Sequence, residues 1–204
     1  MFDFQNFKKI INGSITNFTI KNFYDILLRK RIGTTVPLAN WKFIYNKNIS
    51  AKQESLNYKI LADLLPVGEW RLKRNIINDE RLAECKLCFD QRQTQRSIFN
   101  PNLESNLHLF CECPKVQNLV NQILQNFNFD PLSLRTHLTH QNLPVFENKE
   151  IVMTTIIRET VWEARNFAVF DGAKFSSLQL WNNFNNKLSF YRSISIIRHG
   201  HFYF

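Results

Sequence analysis

The sequence predicts a mainly α-helical protein, in which a small helical domain surrounds a compact cysteine–histidine knuckle and continues into a helical extension. Two observations predict this fold class. Apolar residues recur at helical spacing along much of the chain, and all four cysteines fall between positions 85 and 113. We therefore expect a helical lead-in over 1–49, the knuckle domain over 50–125 and a helical C-terminal extension over 126–204.

Two helices are predicted ahead of the cysteines. Thr19 can cap a helix that runs to Leu27, with apolar residues at i, i+3, i+4 and i+7. A second helix begins at Ser50, because its hydroxyl and the side chain of Gln53 fit a capping box. The apolar stripe of this second helix is Leu56, Ile60 and Leu64.

Pro66 and Gly68 end that helix and introduce a short helix or turn that contains Trp70. Its cations are Arg71, Lys73 and Arg74. Two further cations, Arg92 and Arg96, lie in the polar segment 90–103, which lacks apolar periodicity and is predicted to be an exposed loop.

The cysteines have the spacing of metal ligands. Cys85 and Cys88, with two residues between them, can place both thiolates on one tetrahedral ion. His108 and Cys113 complete a Cys3His set that is typical of structural zinc, and Cys111 is an alternative to Cys113. Buried thiols or a disulfide are the other interpretations, but no secretory signal is found, which favours metal. Four protein ligands leave no position for water, so we expect one structural Zn²⁺.

Three more helices are predicted after the histidine. Pro114 suits the first turn of a helix that continues to Leu124 and would place Cys113 at its N-terminus. Long helices are then expected over 150–170 and over 177–190, with Gly172 between them. The apolar face of the last helix is predicted to be Leu178, Trp181, Phe184 and Leu188.

The residues around the cysteines carry a resemblance. The pattern reads Cys85-x2-Cys88, then Glu104-Ser105-x2-His108-Leu109-Phe110-x2-Cys113-Pro114, with Leu64-Leu65-Pro66-Val67-Gly68 upstream and Trp162-x2-Arg165-Asn166-x3-Phe170 downstream. It resembles the zinc-binding domain that follows the reverse transcriptase in non-LTR (LINE-type) retrotransposons, over about residues 15–175. One departure is the segment between Cys88 and His108, which is longer than the usual loop of that family. The resemblance implies a domain that binds RNA and target DNA during target-primed reverse transcription. It also implies that the reverse transcriptase of the parent element is a partner.

Composition agrees with a nucleic-acid partner. The net charge is +9 and the isoelectric point about 9.5. We expect Arg71, Lys73 and Arg74 to form one phosphate-contacting face with Arg92 and Arg96; the alternative is a solvated basic surface. No apolar run long enough for a membrane span is found, so we expect no membrane partner. No signal peptide is found either, which predicts an intracellular protein, nuclear or cytoplasmic. A small-molecule substrate is not expected.

Catalysis is not expected from this chain. The carboxylate motif of a polymerase and the carboxylate cluster of a two-metal nuclease are not found in the sequence. The leading hypothesis is therefore a zinc-stabilised nucleic-acid-binding module. The alternatives are a structural or protein-interaction domain that binds no nucleic acid, and an orphan fragment of a decayed element.

Overall fold

The computed structural model describes residues 49–88, 103–127, 129–131, 138 and 148–199, and the structural statements below concern these residues. All of them belong to one compact unit. The predicted helix at 19–27, the cations Arg92 and Arg96 and the loop that contains them, apart from Leu103, lie outside the described residues.

The described residues include five α-helices, which we number in chain order. They are α1 Ala51–Leu61, α2 Gly68–Lys73, α3 Pro114–Phe127, α4 Asn148–Phe170 and α5 Ser177–His199. A 3₁₀ helix, Glu80–Ala83, and a π-helical turn, His108–Glu112, lie between α2 and α3. Strand-like pairing in this part of the chain is limited to an isolated antiparallel bridge between Glu84 and Leu103. The prediction of a mainly α-helical fold is confirmed.

The predicted capping box starts α1. The Ser50 hydroxyl accepts a hydrogen bond from the Gln53 amide at 3.4 Å, and the Gln53 side chain accepts one from the Ser50 amide at 2.9 Å. The predicted end of this helix was wrong, since α1 stops at Leu61 and Leu64 lies beyond it. The chain turns at Asp63, which has a left-handed φ of 50°.

Helix α4 is the centre of the fold. It packs against α1, α5 and the π-helical turn, and α5 packs in turn on α3. Residues from all four helices meet in one hydrophobic core, which also contains the four cysteines. Its fully enclosed members include Val116, Leu119, Ile123, Met153, Ile156, Ile157, Val161, Leu180 and Phe184. The predicted boundary at 125/126 falls inside α3, and the division into three segments stays a prediction.

The last helix differs from its prediction in length and in face. No Gly or Pro occurs between positions 190 and 199, and α5 continues to His199. Leu180, Phe184 and Leu188 are buried, whereas Leu178 is 63% exposed. The predicted apolar face was therefore wrong at Leu178, because the partners α3 and α4 cover the side of α5 on which Leu180 lies. None of the described helices combines the length and apolarity needed to cross a membrane.

Candidate metal centre

The structure brings together the four side chains that were predicted as metal ligands. The ligand atoms of Cys85, Cys88, His108 and Cys113 all lie within 4.8 Å of one another, and all four residues are buried. The Sγ atom of Cys88 is 3.5 Å from Nε2 of His108. A tetrahedral ion with Zn–S and Zn–N bonds of about 2.3 and 2.0 Å needs its sulfur and nitrogen ligands about 3.5 Å apart. The cluster can therefore hold a metal ion.

The first pair of ligands lies on a tight turn. The 3₁₀ helix ends at Ala83, and the bridge between Glu84 and Leu103 fixes the backbone immediately before Cys85. Within the turn, the thiol of Cys88 lies 3.8 Å from the carbonyl oxygen of Cys85. Both sulfurs consequently face the same point, as the Cys-x2-Cys spacing predicts.

The second pair is placed by a π-helical turn. The Ser105 hydroxyl accepts a hydrogen bond from the His108 amide at 2.9 Å and so fixes the backbone at the start of the turn. At its other end the Cys113 amide donates to the His108 carbonyl at 2.7 Å, an i to i+5 bond that brings the two ligands onto one side. The Cys113 carbonyl then accepts from the Gln117 amide, so Cys113 stands directly before α3, as predicted.

Cys111 is not a member of the cluster. It is buried in the same π-helical turn, but its thiol lies near the enclosed guanidinium of Arg158. Burial lowers the pKa of Arg158 to about 9, and the nearby Cys111 acts in the opposite direction. The group therefore remains cationic at neutral pH, donating to Asn57 Oδ1 and to the Leu138 carbonyl. Of the two candidates for the last ligand, the structure brings Cys113 to the site.

Protons compete with a metal for this site. Burial alone would lower the pKa of His108, but hydrogen bonds with Cys85 and Cys88 raise it to about 9. A hydrogen bond with Cys85 lowers the pKa of Cys113, yet its bond with Cys88, together with burial and the Cys88 charge, raises it to about 11. Near neutral pH both groups carry protons that an incoming cation has to displace.

Metal affinity is accordingly expected to rise with pH. Protonation favours the metal-free form, so acidification through the pKa of about 9 at His108 weakens binding. Each displaced proton should change the logarithm of the apparent binding constant by about one per pH unit. Chelator competition with Zn²⁺ or Co²⁺ between about pH 6 and about pH 8 measures this slope. An affinity that stays constant over this interval would contradict the assignment of the protonated ligands.

A buried ion pair next to the cluster was missed by sequence reasoning. Glu104 and Arg165 are each about 2% exposed at the side chain and join at 2.7 Å. Both residues belong to patterns that the sequence shows, Glu104-Ser105 and Arg165-Asn166, but nothing in a single sequence indicates that they are partners.

Two of the predicted phosphate-contacting residues at α2, Lys73 and Arg74, have partners of their own. Lys73 is exposed and pairs with Glu69 at 2.7 Å, one helical turn away. The guanidinium of Arg74 lies over the Trp70 ring at 4.5 Å. Arg71 is half-buried. Arg71 and Lys73 lie on α2, and Arg74 directly follows it. Because α2 packs against the 3₁₀ helix leading into Cys85, the three cations are near the cluster in the chain and in the fold.

Comparison of the chain with protein-family models, curated proteins and solved structures gave no match. The resemblance to the retrotransposon zinc-binding domain stays a prediction from the motifs.

Proposed function

We propose that this chain is a zinc-stabilised nucleic-acid-binding module. The observation that carries the proposal is the buried Cys3His cluster. Three thiolates and one imidazole are soft and borderline ligands that suit Zn²⁺ and form one of its usual structural sets. Cys85, Cys88, His108 and Cys113 fill all four tetrahedral positions, so the ion has no open site for a substrate or water. The role we assign to the zinc is structural, and the module is not an enzyme.

Charge supports the nucleic-acid partner. The chain has a net charge of +9, most of which is contributed by residues 1–48. Polyanion binding by basic surfaces is dominated by phosphate contacts. In this proposal the cations of α2 contribute to such a surface, beside the turn that bears Cys85 and Cys88.

The pairing of the α2 cations is compatible with phosphate contact. Exposed ion pairs such as Lys73 with Glu69 contribute little free energy, so Lys73 can exchange the carboxylate for a phosphate. The guanidinium of Arg74 lies over the Trp70 ring, and a cation–π contact does not use its N–H donors, which can therefore meet an anion. The Trp70 ring then supports Arg74 through this contact.

Salt-dependent binding tests the proposal. Affinity for single-stranded RNA and for duplex DNA is measured over a salt series for the wild type and for Arg71→Ala/Lys73→Ala/Arg74→Ala. Each phosphate contact that is lost should reduce the slope of log affinity against log salt by about 0.7–0.9. All sequences should weaken alike, because phosphate contacts carry no base information.

A control with the same change in net charge distinguishes the loss of the α2 cations from a general loss of positive charge. Lys59, Lys149 and Lys174 are exposed and lie on other parts of the fold. Their triple replacement by alanine removes the same formal charge, and it should leave the slope closer to that of the wild type. Equal slopes in the α2 variant and in the control variant would show that α2 is not the binding face.

A protein-interaction domain is the second candidate, favoured by a specific feature of the surface. Phe167, Phe170 and Leu178 are 52%, 77% and 63% exposed around the connection between α4 and α5. Isolated exposed apolar residues are ordinary, but a group of them near one connection is typical of a contact surface. A wild-type protein that holds zinc and binds neither RNA nor DNA at low salt would favour this second candidate.

A further inference from the structure

The ion pair between Arg165 and Glu104 has an unusually complete set of contacts. The Nε of Arg165 donates to both Glu104 carboxylate oxygens at 3.0 and 3.1 Å, and one terminal nitrogen donates to Oε2 at 2.7 Å. That same nitrogen donates to the Pro66 carbonyl at 3.1 Å. Oε2 also accepts from the Gly68 amide at 2.9 Å. The carboxylate therefore joins α4 to the segment that enters α2.

The backbone of Glu104 connects the two halves of the metal cluster. Its amide donates to the Ala83 carbonyl at 2.8 Å, two residues before Cys85. Its carbonyl accepts from the Glu69 amide at 3.0 Å. The next residue is Ser105, whose hydroxyl accepts the amide hydrogen of His108. Displacement of Glu104 would consequently change the distance between the first and the second pair of ligands.

We propose that Arg165 is a positioning residue for the metal centre: by holding Glu104, it fixes the separation of the two ligand pairs. This inference rests on the metal binding in the proposed function and is independent of the nucleic-acid partner. Arg165 contacts no ligand directly and acts through Glu104, whose neighbour Ser105 orients the backbone of His108. Outer partners of metal ligands typically contribute 10–100-fold to metal affinity.

The plain alternative is that the pair only stabilises the fold. Buried ion pairs are weak contributors to stability, and their joint replacement by uncharged residues of similar volume is often neutral. The double variant Glu104→Gln/Arg165→Met removes both charges and keeps a side-chain oxygen for the Gly68 amide. Under the alternative this variant holds metal as the wild type does, whereas a positioning role predicts weaker binding by the folded protein.

The test is chelator competition with Zn²⁺ and the visible spectrum of the Co²⁺ form, on the full chain. The variants are Arg165→Met, Arg165→Lys and the double variant. We expect all three to bind about 10–100-fold more weakly than the wild type, with changed Co²⁺ ligand-field bands. Lys keeps the charge but lacks the fork that meets both carboxylate oxygens, so it should rescue only in part.

A matched control separates positioning from general destabilisation. Val161→Ala truncates a buried side chain of α4, one turn before Arg165, and Val161 takes no part in the ion pair. It should lose stability and keep wild-type metal affinity and spectrum. Equal losses of affinity in Val161→Ala and the double variant, or wild-type affinity in the double variant, would overturn the inference. If Arg165→Met does not fold, the metal affinities of Arg165→Lys and of the double variant test the proposal instead. A wild type that binds no metal would overturn the proposed function as well.

Discussion

Replacing Cys85 and Cys88 together with serine is expected to abolish metal binding and to unfold the described domain. Both thiols are about 1% exposed and form half of the ligand set. Structural zinc contributes an apparent binding free energy of about 10–16 kcal/mol. The net stability of a domain is only about 5–15 kcal/mol. Loss of the metal is therefore expected to remove a free energy as large as the free energy of unfolding of the whole domain. Elemental analysis of the purified protein and thermal unfolding followed by circular dichroism measure the two effects.

Cys111→Ser is the matched control for this experiment. The residue is a buried cysteine of the same π-helical turn, but it is outside the cluster. We expect Cys111→Ser to keep its metal and its secondary structure, with a modest loss of stability from burying a hydroxyl in place of a thiol. Cys113→Ser should lose the metal. Retention of metal by the Cys85→Ser/Cys88→Ser protein, or its loss in Cys111→Ser, would contradict the ligand assignment.

Gly68→Ala is expected to be the more damaging of the two Gly→Ala replacements in the described part of the chain. A Cβ atom at Gly68 would lie 2.0 Å from the carbonyl oxygen of Ala83 and 2.6 Å from its carbonyl carbon. These are backbone atoms, and that carbonyl oxygen already accepts the Glu104 amide, so it cannot move aside without breaking the contact between the ligand pairs. The Gly68 amide also donates to the Glu104 carboxylate. We expect a loss of about 3 kcal/mol or more in the free energy of unfolding, measured by urea denaturation.

Gly172→Ala provides the comparison. Gly172 has a left-handed φ of 64°, but no atom lies within 4 Å of an added Cβ. Its replacement should cost about 1–2 kcal/mol, which is the backbone cost of a side chain in that conformation. A Gly68→Ala protein that is no less stable than Gly172→Ala would show that α2 can move away from the 3₁₀ helix freely.

Several features of the fold follow from the sequence because their interactions are local. The capping box of Ser50 and Gln53 joins residues three apart, and the start of α3 at Pro114 depends on that residue's own backbone. The pairing of Cys85 with Cys88 needs only a tight turn. In each case the partners are neighbours in the chain, so a single sequence contains all the information that the interaction requires.

The full set of four metal ligands could be predicted from the sequence for a related reason. Cys and His are infrequent, and their concentration between positions 85 and 113 limits the possible ligand sets. The choice between Cys111 and Cys113 was left open by spacing. It was decided by the π-helical turn, whose i to i+5 hydrogen bond brings Cys113 onto the side of His108.

Only the tertiary structure decided which polar residues are enclosed. Glu104 meets Arg165 across 61 positions, and Arg158 meets Asn57 across 101. Charged residues are usually solvated, so helical periodicity alone assigns them to the surface. Their burial becomes favourable only when several distant segments supply charge and hydrogen bonds together, because an isolated buried charge is costly. That compensation is a property of the packed helices, which is why the cysteines could be predicted from spacing and the ion pair beside them could not.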